Sequence, residues 1–293
     1  MKPEKIKEFW ESLWQDYINR VSYARTYQQM ITAVGGTIAN DHIAFRSLRL
    51  DINTNQGKIN LGIKLFEPLL NRLGYKAAGE YIFPETHLYA RHYQHPQQAE
   101  YDLPKLFISE LIVEELPSNI AEIIQSTVSS ANLEYFTLNS ELNPQKIFTR
   151  PWEPPLYSVI ETVNQVSQYG AWILLHGYAA NHFTGYVNRQ NTPQYPDIDS
   201  TALGLSKLGV PMKAEIEGNI AVGLRQTATH AVSEMVTVID DETQTEIQIP
   251  WTYAYYEIAQ RYFVEVGSGK QELFDAFLGR NAQNLFEMTR LLN

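Results

Sequence analysis

Apolar residues recur at Phe9, Leu13 and Tyr17, four apart. That spacing lines one face of a helix and predicts helical structure over 4–35, ended at Val34-Gly35-Gly36. The pattern then changes period. Residues 41–50 read as a strand opening with Asp41-His42-Ile43-Ala44-Phe45-Arg46, in which His42, Ala44 and Arg46 share one face. Residues 59–73 predict a helix carrying Pro68 as a kink, with Gly74 just past its end. Strands follow at 75–83, 87–93 and 105–114, the first two joined by Pro84-Glu85-Thr86. The order from 41 to 114 is therefore βαβββ.

Residues 117–148 read as helix and then loop, and Pro151, Pro154 and Pro155 break the chain between halves. A helix is expected at 158–168, while the apolar run 171–176 suits either a helix or a buried strand. The second half then repeats the first in element order. A strand is expected at 181–187, and a helix at 197–208 with Asp197 or Asp199 near its start and Gly209 behind it. Strands at 210–216, 229–239 and 246–263 complete a second βαβββ unit, and the tail 271–292 reads as helix with Phe274, Phe277, Leu285, Phe286 and Leu291 as its apolar contacts. The expected fold is α+β in a single domain, 1–293. N-terminal helices (1–40) precede the first module (41–116), a helical linker (117–170), the second module (171–263) and a C-terminal helix (264–293). Two such modules side by side form a shared curved sheet around a pocket, the layout of vicinal-oxygen-chelate folds, whose metals sit inside the cup.

Composition narrows the chemistry. Of 293 residues 44% are hydrophobic, enough for a sizeable core. The net charge of -10 argues against a nucleic-acid partner, which needs a positive field. No run approaches the roughly 18 apolar residues of a membrane span. The charged N-terminus lacks the apolar core of a signal peptide, so the expected location is cytoplasmic. The absence of cysteine removes disulfides, thiolate metal sites and a cysteine nucleophile. Any metal is then held by His, Asp or Glu, a donor set that suits Fe(II), Mn(II) or Zn(II).

His42 and His182 open the first strands of the two modules, and a pseudo-twofold axis would bring them together. Of the other five histidines, His87, His92 and His95 lie on a polar hairpin and read as solvated, His176 as a loop or core residue, and His230 as a reserve ligand. Glu257, among aromatic neighbours on a late strand, is the candidate third ligand, since a metal would offset the cost of burying its charge. The competing reading pairs Glu257 with Arg261 on the same strand face. Glu110 occupies the matching strand of module one, as a fourth ligand or a group behind the ligands. Arg46 suits a substrate carboxylate; the plainer reading of its strand is a solvated surface.

Five sequence words occur in a fixed order: Asp41-His42-Ile43-Ala44-Phe45-Arg46; Leu106-Phe107-Ile108-Ser109-Glu110-Leu111; His176-Gly177-Tyr178 with Asn181-His182-Phe183-Thr184; Tyr256-Glu257-Ile258-Ala259-Gln260-Arg261; and Asn281-Ala282 with Leu285-Phe286-Glu287-Met288-Thr289. Together they resemble the 2-oxoadipate dioxygenase/decarboxylase family, also called 2-hydroxyglutarate synthases, from about residue 40 onward. The Glu-Ile-Ala-Gln-Arg string also resembles the ligand strand of 4-hydroxyphenylpyruvate dioxygenase and hydroxymandelate synthase. The resemblance implies an Fe(II) site at His42, His182 and Glu257, with Arg46 anchoring a substrate carboxylate, either the distal or the chelating one. Gln226, in Arg225-Gln226-Thr227-Ala228-Thr229, would line the pocket. It further implies conversion of 2-oxoadipate and O2 to 2-hydroxyglutarate and CO2, within lysine catabolism. The chain departs from the family in its shortness and in Met288, where serine is expected. Two alternatives remain at this level: a non-oxidative Zn- or Mn-dependent isomerase or lyase of the same fold, and a catalytically silent pocket or scaffold protein.

Overall fold

The computed structural model describes residues 1–54, 57–136, 142–267 and 269–277. The N-terminal segment forms α1 (Pro3–Arg20) and α2 (Ser22–Ala33), separated at Val21, within the helical stretch expected over 4–35. The first module comprises β1 (Asn40–Arg49), a small hairpin of β2 (Asp51–Thr54) and β3 (Gly57–Asn60), then α3 (Ile63–Arg72), β4 (Lys76–Phe83), β5 (Leu88–Gln94), the one-turn α4 (Gln98–Tyr101) and β6 (Lys105–Ile112). The linker carries α5 (Ser118–Val128), α6 (Pro144–Ile147), α7 (Tyr157–Val166) and α8 (Gln168–His176). The second module runs β7 (Ala180–Tyr186), α9 (Ile198–Lys207), β8 (Glu217–Asn219), β9 (Leu224–Ala228), a hairpin of β10 (Ser233–Ile239) and β11 (Glu246–Thr252), and β12 (Tyr255–Arg261). The hairpin of β13 (Phe263–Val266) and β14 (Lys270–Leu273) follows.

One curled, mixed eight-stranded sheet of order β4-β5-β6-β1-β7-β12-β9-β8 organises these elements. Each module supplies four adjacent strands, and the halves meet where β1 pairs antiparallel with β7. Within the halves β1 runs parallel to β6, and β7 parallel to β12. On the outer face, Phe45, Phe183 and Tyr256 pack against Trp10, Trp14 and Tyr27 of the N-terminal helices. Phe66 of α3 extends that aromatic layer. The inner face, cleared of these apolar partners, carries polar side chains.

Local signals set several boundaries. The Asp197 carboxylate accepts from Ser200 N at 2.8 Å, and the Ser200 side chain answers with a reciprocal contact, a capping box that starts α9. Gly209, at φ +81, ends it. The apolar run 171–176 lies in α8, whose start is fixed by the Ser167 side chain accepting from Gly170 N at 3.0 Å. This helix is apolar all round because it is buried all round.

Four expectations need correction. Residues 57–60 form β3, so the expected helix begins only at Ile63. The strand expected at 210–216 is reduced to a lone bridge between Met212 and Thr229, and β8 begins after it. The stretches 229–239 and 246–252 supply β10 and β11, which pair with each other outside the main sheet while β9 takes the place beside β12. Alternation announces a half-exposed strand but does not specify its neighbours. The C-terminal helix expected over 264–293 gives way over 264–273 to the β13–β14 hairpin and over 274–277 to irregular backbone, and the expectation from 278 onward falls outside the described residues.

Candidate metal centre

Strand register assembles the site. His42 on β1 lies opposite Thr184 on β7, and Thr184 lies beside Glu257 on β12. One step along, Ala44, His182 and Tyr255 form a second row. Paired residues share a face, so these side chains enter the same cup. One donor atom from each of His42, His182 and Glu257 can be chosen so that all lie within 4.8 Å of one another. All three residues are buried, at 1–2% exposure.

The hydrogen-bond network turns the donors inward. His42 Nδ1 donates to Asp41 Oδ1 at 2.9 Å, which leaves the Nε2 lone pair facing the cup. His182 Nδ1 points at Asn181 Oδ1 at 3.4 Å, and its Nε2 lies 3.3 Å from His42 Nε2. Glu257 Oε1 stands 3.4 Å from His42 Nε2 and accepts from Thr184 Oγ1 at 3.2 Å. Tyr255 stacks on the His182 ring at 4.7 Å.

Electrostatics fit a cation in this space. Burial lowers the proton affinity of both imidazoles, and His42 and Arg46 depress that of His182 further. Both rings are thus neutral at physiological pH, as ligation requires. Burial pushes the Glu257 carboxyl up to about 8. Two imidazole lone pairs and a carboxyl oxygen that resists ionisation, turned on one another in a dry pocket, are what a divalent cation would relieve.

Arg46 lies on the same face and is 2% exposed. Its guanidinium carbon sits 4.7 Å from the Trp172 ring and 4.9 Å from the Tyr169 ring, both on α8. The guanidinium is therefore buried rather than solvated. Gln226, also buried, is in register with Ala259, two residues from Glu257 and on its face.

Other candidates fall elsewhere. Glu110 pairs in register with Ser47, on the outer face. There it accepts from Arg49 Nε at 2.6 Å and from the backbone N of Ile63 at 2.7 Å, so it starts α3 and stands away from the triad. A one-residue change of parity along β6 separates it from the inner Ser109. His230 is exposed, which removes the reserve ligand. His92 and His95 are buried at 2% and 6%, contrary to the solvated reading, and His87 is the hairpin histidine that faces water. His176 is a core residue, 3.1 Å from the Thr252 carbonyl and 3.3 Å from Glu234.

Arg261 turns to Asp41 rather than Glu257, with Nε–Oδ2 at 2.5 Å and Nη2–Oδ1 at 2.8 Å. Thr184, Tyr255 and Asp41 were not singled out from sequence. Period-two counting from His182 and Glu257 reaches the first two; Asp41 is the immediate neighbour of His42. A separate surface cavity of about 500 Å³, lined by Trp10, Trp14, Asn40 and Phe183 among others, lies toward the outer face.

Comparison with known proteins follows the same direction. The sequence pattern of 2-oxoadipate dioxygenase/decarboxylase matches residues 12–290. A 2-oxoadipate dioxygenase/decarboxylase of Oryza sativa subsp. japonica, described as chloroplastic/amyloplastic, is 28% identical over 298 residues, covering 93% of this chain and 75% of the relative. The chloroplastic protein of that description from Arabidopsis thaliana is 28% identical over 299 residues, covering 93% and 74%. The crystal structure of an Oryza sativa hydroxyglutarate synthase in complex with 2-oxoadipate superposes with a TM-score of 0.77 at 24% identity, covering 98% of this chain and 92% of that one, and so shares the fold. Among the described residues no helix is long and apolar enough to cross a membrane.

Proposed function

The chain belongs to the 2-oxoadipate dioxygenase/decarboxylase family, and on that premise we propose that it is an Fe(II)-dependent enzyme converting a 2-oxo acid and O2 to the 2-hydroxy acid one carbon shorter and CO2. The substrate proposed is 2-oxoadipate, giving 2-hydroxyglutarate. The observation that carries this reading is the placing of a buried two-histidine, one-carboxylate donor set and the buried Arg46 guanidinium on one face of the sheet. Such a triad leaves coordination positions open, as non-haem Fe(II) oxygenases require. His42, His182 and Glu257 would hold the ion. Bound there, Fe(II) supplies chelation of the 2-oxo acid and the electrons that activate O2.

The chain's own residues do the rest. Asp41 keeps the His42 proton on Nδ1 and the lone pair of Nε2 in the cup. Thr184 holds the Glu257 oxygen by its hydroxyl and fixes the direction of the carboxylate. Arg46 takes a substrate carboxylate, and its aromatic sandwich limits the directions the guanidinium can adopt. The local positive charge counts for more than the net charge of -10, because a buried cation is screened less than the distant surface acids. Gln226 offers an amide on the same wall. Burial keeps bulk water from the reacting atoms.

The test is an anaerobic reconstitution with Fe(II), addition of 2-oxoadipate, admission of O2 and product identification by mass. O2 uptake matched by CO2 and 2-hydroxyglutarate supports the reading. Uptake with another 2-oxo acid alone keeps the reaction and changes the substrate. No uptake with any 2-oxo acid, in protein shown to hold iron, overturns it in favour of non-oxidative metal chemistry.

A further inference from the structure

His42, His182 and Glu257 are only 1–2% exposed, so a substrate reaches them only if a covering element moves. One wall is α8, anchored in the core by Trp172 Nε1 donating to the Tyr253 carbonyl at 2.6 Å and by the Tyr169 hydroxyl, 2.8 Å from Ser109 Oγ. Another wall is the segment 274–277, which belongs to no helix or strand. It places the Phe277 ring 4.8 Å from the His42 ring. Phe277 also packs on His92 and Phe107, each at 5.2 Å, while the tethers of 274–276 are polar. Arg261 Nη1 donates to the carbonyls of Phe274 at 3.1 Å and Ala276 at 2.9 Å. Lys105 meets Asp275 at 2.5 Å, and Gln94 Nε2 donates to the Asp275 carbonyl at 2.8 Å. Segments held by few local bonds open at lower free energy than packed helices.

The other edge of the same guanidinium grips both oxygens of Asp41, and Asp41 holds His42 Nδ1. A continuous chain of charge-assisted hydrogen bonds therefore runs from a candidate metal ligand to the strap that covers it: His42, Asp41, Arg261, and the carbonyls of Phe274 and Ala276. We propose that Asp41 and Arg261 are positioning residues that couple closure of the 274–277 strap to the orientation of His42. Filling the metal site locks the strap, and an open strap loosens His42. This rests on the metal-centre reading above. Coupling of this kind is reciprocal, so it is readable from either end.

The experiment is hydrogen exchange of the peptide spanning 271–277, in apo and Co(II)-loaded protein, with Co(II) affinity followed through its visible absorption. Neither readout requires O2 chemistry. In the wild type, Co(II) should slow exchange of the strap about tenfold or more, a coupling of ordinary size. Asp41→Asn, which touches neither the strap nor the ion, should abolish that protection and weaken Co(II) binding by about tenfold or more. Phe277→Ala should leave the protection of 274–276 in place, because the charged route remains. If Asp41→Asn fails to fold, Arg261→Lys carries the test. A lysine has no fork to span a carboxylate and two carbonyls, so apo exchange should rise and metal-dependent protection should vanish.

Protection that survives Asp41→Asn, or survives Arg261→Lys, overturns the proposal. So does protection lost in Phe277→Ala, which would assign the coupling to the ring contact, or an absence of protection in the wild type. Strap protection without O2 uptake after Fe(II) loading would instead count against the dioxygenase reading alone.

Discussion

Glu257 Oε1 stands 3.4 Å from His42 Nε2, and burial pushes that carboxyl up to about 8. The sign of its pH effect follows. The folded apo-protein holds this proton more tightly than the unfolded chain, so the contribution is stabilising below about pH 4.5 and is lost as pH rises to about 8. His42 and His182, whose proton affinities are lowered, act in the opposite sense, but their contributions are complete above about 6.5. Between pH 7 and 8 apo stability should therefore fall, and Glu257→Gln should flatten that slope in denaturant titrations. Metal binding must displace the same proton, so affinity should rise by up to tenfold per pH unit until about pH 8. A pH-independent affinity over this range would contradict the raised carboxyl.

Removing a proposed ligand and removing the proposed substrate anchor should give different losses. His42→Ala, His182→Ala and Glu257→Ala are each expected to abolish stoichiometric iron, measured by metal content after anaerobic loading. Arg46→Ala should keep its iron and lose about 10- to 100-fold in kcat/KM, the worth of a charge-assisted hydrogen bond. Arg46→Lys should recover little of this, because an ammonium cannot present the planar fork to a carboxylate. Iron lost from the Arg46 variants would place that residue in a different role.

Thr184 bridges two of the proposed ligands, its hydroxyl oxygen lying 3.2 Å from Glu257 Oε1 and 3.0 Å from His42 Nε2. Thr184→Val keeps the shape and deletes the hydroxyl. We expect metal affinity to fall by about tenfold, the worth of about one net hydrogen bond, and Thr184→Ser to restore most of it. Unchanged affinity in the valine variant would show that packing alone directs the carboxylate.

Glu110 tests the division between the two faces of the sheet. Glu110→Gln weakens the pairing with Arg49 and the cap on Ile63 N, so unfolding stability should drop by about 1–3 kcal/mol. Metal affinity should stay within twofold of wild type. A selective loss of metal binding, with stability intact, would return Glu110 to the site.

Much of this protein was decided by the sequence alone. The lack of cysteine restricted any metal to nitrogen and oxygen donors. Alternation put His42, Ala44 and Arg46 on one face, and the repeated order of elements set His42 and His182 at equivalent positions, which the sheet places on adjacent strands. These are local properties: residue type and backbone period are fixed by a few neighbouring residues. What the tertiary structure decided was partnership. Arg261 had an acceptor four residues away in Glu257 and took Asp41 instead, 220 positions distant in the chain. Glu110 went to the outer face through the parity of the β1–β6 register, and β10 and β11 left the main sheet despite strand-like alternation. Phe277 came to rest on His42 through tethers from Arg261, Lys105 and Gln94. The reason is physical: a period determines which way a side chain points, but an ion pair, a register or a lid depends on which strands become neighbours, and that choice is made by burying the whole core at once.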